Sequence, residues 1–306
     1  MTQRAASSRL VVWWHGARPR TLAASIAPVI VGTAAAGHAV LWRFVAAMLV
    51  GLGLQIGVNY ANDYHDGVRG VDTKERLGPP RLVSSGMASP RAVLIAALAC
   101  IVVAGVAGLA LAVATTLWLI PLGAVAMLAL WLYTGGPRPY AALGLGELMV
   151  FVFFGVMATA GTAFVQAEHV RAAAWWASAA MGFLAVAILV ANNLRDIPTD
   201  AAVGRRTLAV RLGDHRTRLL YRGCVGAAFV TIVLGVVVNI AVAGVGLSQW
   251  ALFALAAWPF ALAPFENVGS TEGPALIPVL VGTAWLQMAF GALLALGLWI
   301  AGATAS

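Results

Sequence analysis

Apolar residues run along this chain in blocks that approach or exceed the roughly 20 needed to cross a bilayer as helix. They lack the strict polar alternation of a lipid-facing β-strand, and polar residues gather in the short intervals between blocks. The pattern predicts helical spans near 21–39, 41–63, 91–113, 115–133, 145–165, 173–195, 219–242, 248–264 and 275–302. That describes an all-α integral membrane protein, a nine-helix transmembrane bundle. Residues 1–20 form a cytosolic N-terminal segment and 21–302 a single domain. The Gly- and Pro-marked stretch "ALAPFENVGSTEGPAL" separates the last two spans. Arg4 and Arg9 before the run ending in "GTAAAGHA" imitate a cleaved signal; that run is taken as the first span.

Composition agrees with this pattern. Hydrophobic residues make up 61% of the chain and charged residues 10%, well below the quarter or so usual in soluble domains. The net charge of +8 does not point to nucleic acid, because the basic residues flank spans. All but Arg43 and Arg171 fall in the N-terminal segment, in the loops after the second, fourth and sixth spans, or within a turn of them. The positive-inside rule therefore places the N-terminus in the cytosol of a cell whose plasma membrane the chain crosses many times. Cys100 and Cys224 lie in apolar surroundings without metal-ligand spacing.

The acidic inventory is what topology does not explain. Of six aspartates, five (Asp63, Asp66, Asp72, Asp196 and Asp200) lie in two segments, "NYANDYHDGVRGVDT" and "ANNLRDIPTDAAVGRRTLAVRL". Each segment closes an apolar run on the predicted cytosolic side. Asn59, Asn62, Asp63 and Asp66 recur at i, i+3, i+4 and i+7, and Asn192, Asp196 and Asp200 at i, i+4 and i+8, so each set shares one helical face. Pro198 is expected to unwind the second helix near Asp200. A carboxylate at a helix C-terminus meets the negative end of the dipole, so positive groups must compensate. Ionisable groups placed at membrane depth imply a partner or a cavity.

Clustered carboxylates and amide carbonyls are hard oxygen ligands that suit Mg2+, which keeps waters and bridges carboxylates to substrate phosphates. Arg69, Lys74, Arg76, Arg81, Arg195, Arg205 and Arg206 lie near the clusters as phosphate contacts, while serving singly as topology or membrane lipid headgroup residues. A charged head at the cytosolic face joined to an apolar tail within the bundle describes a polyprenyl diphosphate. Ionising it leaves an allylic cation, which aromatic faces stabilise in a dry pocket. Tyr60, Tyr64, Tyr133, Tyr140, Phe151, Phe153 and Phe154 are the aromatic candidates, and His65 is read as a solvent-facing helix-end residue.

At these residues the chain resembles a known family. Asn62-x3-Asp66-x5-Asp72 and Asn192-x3-Asp196-x3-Asp200 resemble the two aspartate-rich motifs of the UbiA superfamily of intramembrane prenyltransferases. The segments "RPRTLAASIAPVIVGTA", "NDYHDGVRGVDTKERLGPPRLVSSG", "NNLRDIPTDAAVGRRTLAVRLG" and "ALIPVLVGTAWLQ" resemble its branch that prenylates 1,4-dihydroxy-2-naphthoate in menaquinone synthesis. Members that prenylate 4-hydroxybenzoate carry an aspartate where Gly70 stands, so the spacing to Asp72 favours the naphthoate branch. The resemblance implies a bundle of the UbiA prenyltransferase type. It also implies Mg-dependent transfer with loss of carbon dioxide and diphosphate.

By the same resemblance Asn62, Asp66, Asn192, Asp196 and Asp200 hold metal and diphosphate, and Asp63 and Asp72 assist or orient. Asn59, Arg69, Lys74, Arg81, Tyr133, Arg138 and Arg195 contact substrate. Two other readings stay open. "DYHDG" begins like the motif of CDP-alcohol phosphatidyltransferases but lacks its downstream pair, and a secondary transporter would carry acidic residues nearer the midplane. The repeat "PVIVGTA" and "PVLVGTA", at 28–34 and 278–284, is expected to mark close helix packing.

Overall fold

A backbone in lipid must satisfy its polar groups within its own segment, which leaves helix as the solution for sequences of this pattern. The structure, a computed structural model, describes residues 2–70, 81–135 and 139–305, and every regular element among them is helical. In chain order these are α1 (Thr2–Ala17), α2 (Ala23–Ala35), α3 (Leu41–Val68), α4 (Pro90–Ala114), α5 (Leu119–Thr134) and α6 (Gly146–Val150). A π-helical turn (Phe151–Met157) joins α6 to α7 (Ala158–Ala167); α8 (Ala172–Ala202), α9 (Leu208–Ala241), α10 (Trp258–Asn267) and α11 (Ile277–Ala305) follow.

Among the described residues six helical stretches are long and apolar enough to cross a membrane: Leu41–Val68, Pro90–Ala114, Gly146–Ala167, Ala172–Ala202, Leu208–Ala241 and Gly273–Thr304. The protein is a multi-pass membrane protein. Three expected spans differ in form. The first is α-helical only over the 13 residues of α2, the fourth over the 16 of α5, and the eighth starts as a 3-10 helix at Gln249–Ala257 before α10.

Local signals explain most boundaries. The Ser89 hydroxyl caps α4, accepting from the Ala92 amide at 3.3 Å, with Pro90 at the first helical position. Thr207 caps α9 in the same way, accepting from Val210 at 3.3 Å. Pro198, contrary to expectation, does not end α8, which continues to Ala202. The proline removes the bond to the Leu194 carbonyl, but the Thr199 hydroxyl donates to the Asp196 carbonyl at 3.0 Å and holds the following turn. Asp200 is therefore helical, one turn beyond Asp196.

Lipid tails are as apolar as leucine, so helices here associate through close packing and polar contacts. A Cβ on Gly155 would lie 2.5 Å from the Gly182 Cα, so the π-turn and α8 meet backbone to backbone. Both repeat glycines also sit in tight contacts, Gly32 against the Thr159 carbonyl and Gly282 against the Pro264 ring. One buried cluster joins α2 to α8, α9, α10 and α11, and a second joins α1, α3, α4 and Leu130 of α5. Between these two bodies lies a cavity. A third cluster, Val29, Ala46, Ala47, Ala107, Leu111 and Val165, closes the end remote from the polar motifs.

Candidate active site

The C-terminal turns of α3 bury Asn59, Asn62, Asp63 and Asp66, and the corresponding part of α8 buries Arg195 and Asp196. Both motifs line one cavity of about 890 Å³ that continues through apolar walls to Val29, Leu111, Leu119 and Val165. Sequence periodicity put each set on one helical face; the fold turns the two faces toward each other.

The compensating charges are arginines. Asp66, only 1% exposed, sits in a fork between Arg81 and Arg205: Arg81 Nη2 donates to Oδ2 at 2.9 Å, and Arg205 Nη2 donates to Oδ1. Arg205 also lies 3.7 Å from Asp200, so it ties α3 to the end of α8. Arg195 clasps its neighbour Asp196 with two bonds of 2.7 Å, and its Nη2 donates to the Asn192 Oδ1 at 2.9 Å. Charge-assisted, bidentate pairs of this kind stabilise carboxylates at helix C-termini that the dipole disfavours.

Two motif residues hold backbone. Asp63, 2% exposed, accepts from the amides of Leu82 and Val83 at 2.8 and 3.0 Å, fixing the segment that presents Arg81. The Asn59 amide donates to the Ala17 carbonyl at 2.9 Å and Tyr60 donates to the Trp13 carbonyl at 2.8 Å, docking α1 on α3. This docking sets the cavity rim. Arg18 follows with φ 55°, a left-handed conformation uncommon outside glycine and asparagine, and it lines the cavity with Arg20.

Of the other predicted contacts, Arg69 and Tyr133 line the same cavity, whereas Asp72, Lys74, Arg76 and Arg138 lie outside the described residues. Tyr133, Tyr140, Phe153 and Phe154 line it among the aromatic candidates, with Tyr133 and Tyr140 packed edge to face at 5.4 Å. Burial pushes the Tyr140 hydroxyl up to about 12, which keeps it protonated. Tyr64 and Phe151 pack instead on His65 and Phe183. The solvent-facing reading of His65 is corrected: its ring packs edge-on against Trp131 at 4.7 Å and its Nε2 is buried. A helix-end position does not face water when the next helix covers it.

Sequence reasoning missed Arg18, whose place in "RPRT" looked like topology, and Glu147, a buried carboxylate that accepts from Asn193 at 2.9 Å. Asn193 directly follows Asn192 and gave the available signal.

Among the described residues no three His, Cys, Asp or Glu groups converge as a ready metal cage. The donor set is nevertheless oxygen only: Asp66 and Asn62 on one wall, Asn192, Asp196 and Asp200 on the other. That fits a hard cation such as Mg2+, which takes one or two carboxylates per ion and completes its shell with water and phosphate oxygens.

Buried carboxylate pairs facing across one end of an apolar cavity, on a helical membrane bundle, define an intramembrane transferase for a substrate with a charged head and an apolar tail. The UbiA prenyltransferase family matches residues 25–274, and the chain belongs to that family. The 1,4-dihydroxy-2-naphthoate octaprenyltransferase of Mycobacterium tuberculosis (strain ATCC 25618 / H37Rv) is 48% identical over 92% of this chain and 96% of its own. Among solved structures, the apo UbiA homolog from Aeropyrum pernix K1 has a TM-score of 0.68 at 15% identity, over 89% of this chain and 96% of that one. The UbiA homolog from Archaeoglobus fulgidus bound to GPP and Mg2+ has a TM-score of 0.61 at 16% identity, over 92% and 99%. These two show the fold.

Proposed function

We propose that the protein transfers a polyprenyl chain from polyprenyl diphosphate to 1,4-dihydroxy-2-naphthoate, releasing diphosphate and carbon dioxide and giving demethylmenaquinone for menaquinone synthesis. One observation carries the reading: the carboxylates of α3 and α8, each held by arginine, meet at the mouth of a cavity whose remainder is apolar. The naphthoate acceptor is supported by the relative at 48% identity, which bears that substrate in its name.

In this reading Asn62, Asp66, Asn192, Asp196 and Asp200 hold Mg2+, the ion bound in the archaeal homolog. When bound, the metal neutralises the diphosphate and stabilises it as a leaving group. The chain's own residues do the rest. Arg81, Arg195 and Arg205 are positioned to exchange carboxylate for phosphate oxygens, and Arg69, Lys74 and Arg138 extend the same positive field. Asp63 and Asp72 hold or orient the loop between them, and Asn59 holds the rim. Tyr133, Tyr140, Phe153 and Phe154 turn aromatic faces and edges to the space where allylic cation character develops, and the apolar walls exclude water from it. The ring carbon bearing the acceptor's carboxylate is made nucleophilic by the ring hydroxyls, forms the new carbon–carbon bond, and loses carbon dioxide.

The enzyme sits in the plasma membrane with its N-terminus and active site toward the cytosol, residues 21–302 forming one domain after a cytosolic segment 1–20. The deciding experiment is a turnover assay of the purified protein with a polyprenyl diphosphate, with and without Mg2+, offering 1,4-dihydroxy-2-naphthoate and 4-hydroxybenzoate separately. Magnesium-dependent prenylated product from the naphthoate alone is expected. Product only from 4-hydroxybenzoate removes the acceptor assignment, and none from either removes the reaction.

A further inference from the structure

The remote end of the cavity is closed by Val29, Ala47, Leu111, Leu119 and Val165, which belong to five different helices and pack together as the floor. One turn back toward the motifs, four of those helices place a glycine on the cavity wall: Gly51 on α3, Gly108 on α4, Gly123 on α5 and Gly161 on α7. The spacing is three or four residues from floor residue to glycine in each case, one helical turn. A Cβ added at Gly123 or Gly161 would meet nothing within 4 Å, whereas at Gly51 and Gly108 it would touch neighbouring side chains. Glycine in a helix interior weakens it, so open glycines that fill no packing need ask for another explanation. Here the space in front of them is the cavity itself.

We infer that Gly123 and Gly161 form the width-limiting passage for the donor's tail and so set how the enzyme responds to prenyl chain length. The inference rests on the prenyl-transfer reading above. Gly123 lies ten residues from Tyr133 on α5 and Gly51 eleven from Asn62 on α3, which puts this level about 15–16 Å below the polar end at 1.5 Å per residue. An extended isoprenyl unit, four chain bonds against the three of an amino-acid residue, covers about 4–5 Å. Tails of about three to four units therefore end at the glycine level, and longer ones must pass it. A large side chain at either position would stop the tail there without touching the chemistry above.

The test is a graded series, Gly161→Ala, Gly161→Leu and Gly161→Phe with Gly123→Leu, assayed with geranyl, geranylgeranyl and a longer polyprenyl diphosphate against the same naphthoate acceptor. Leu128→Phe, on the exposed outer face of α5, is the control. Leu and Phe at 161 are expected to keep geranyl transfer within about twofold of wild type and to lower transfer of the longer donors by about tenfold or more, the loss growing with side-chain size. Alanine at 161 and the control should keep the wild-type length profile. A series in which every donor keeps its wild-type ratio overturns the inference, because the tail would then leave the cavity above this level. Wild-type protein that transfers none of the donors removes the underlying reaction instead.

Discussion

Arg205 reaches from the chain just beyond α8 to Asp66 on α3, while its other nitrogen faces Asp200 on α8. One guanidinium thus joins motifs about 130 residues apart in sequence, and the two walls of the site are tied by charge. Removing Asp66 strands it and Arg81 together. Asp66→Asn is expected to lower turnover by about 10²–10³-fold, the scale for losing one preorganised electrostatic contact. Asp66→Ala should in addition lower the unfolding temperature in detergent, because Arg81 stays buried without its carboxylate. Turnover near wild type in either variant removes Asp66 from the proposed metal site.

The arginine pairs also bear on metal dependence. Each buried carboxylate of the site is balanced by a guanidinium within the protein, so folding does not depend on a cation to neutralise it. Treatment with EDTA should abolish prenyl transfer while leaving the thermal transition within a degree or two, and added Mg2+ should restore the activity. A large fall in thermal stability on chelation would show that the ion is structural.

Asp63 offers a different signature. Its carboxylate receives two backbone amides, and Asp63→Ala leaves both buried without an acceptor, at about 1–3 kcal/mol each. A lowered unfolding temperature and faster proteolysis near residues 80–83 are expected, with Asp63→Asn partly restoring both. An unchanged protease pattern would show that Asp63 acts on substrate and not on the loop.

Asn59→Ala should free the C-terminal end of α1, since it deletes the bond to the Ala17 carbonyl. Limited proteolysis around residues 17–20 should quicken, and the KM for the acceptor should rise more than kcat falls, because the rim carrying Arg18 loosens. Equal proteolysis rates in wild type and variant would overturn the docking role.

Glu168→Ala serves as the neutral comparison. Its pair with Arg43 at 3.0 Å is half exposed at the opposite end of the bundle, and Arg43 keeps its bond to the Val165 carbonyl at 2.9 Å. Turnover should be unchanged and stability altered by less than about 1 kcal/mol. A tenfold activity loss would place chemistry at the wrong end of the molecule.

Much of this architecture was legible in the residues, for identifiable reasons. Long apolar runs and a lopsided charge distribution report membrane helices directly, and i, i+4 spacing reports a shared face, so Asn62, Asp66, Asn192 and Asp196 stood out before any fold was known. What periodicity does not carry is pairing between distant helices. Nothing local says that Arg205 turns toward Asp66, or that Asp63 serves the backbone of Leu82 and Val83. The strain at Arg18 is a backbone property, invisible in a residue that also fits the charge rule at a membrane edge. Pro198 misled for a related reason: the proline rule describes an average helix, and the Thr199 hydroxyl supplies local support.

The π-turn between α6 and α7 has a bearing on how such a chain tolerates change. A wider turn takes up one residue more than an α-helix needs, shifting the angular phase of everything after it. Deleting a single residue from Phe151–Met157 would return the segment to regular winding and rotate α7 by about 100°. Thr159 would swing out of the groove beside Gly32, and Val165 would leave its neighbours Val29 and Leu111. Deletions there are thus expected to be lethal to function while point changes on the outer face pass unnoticed. Length in this stretch is under tighter constraint than composition.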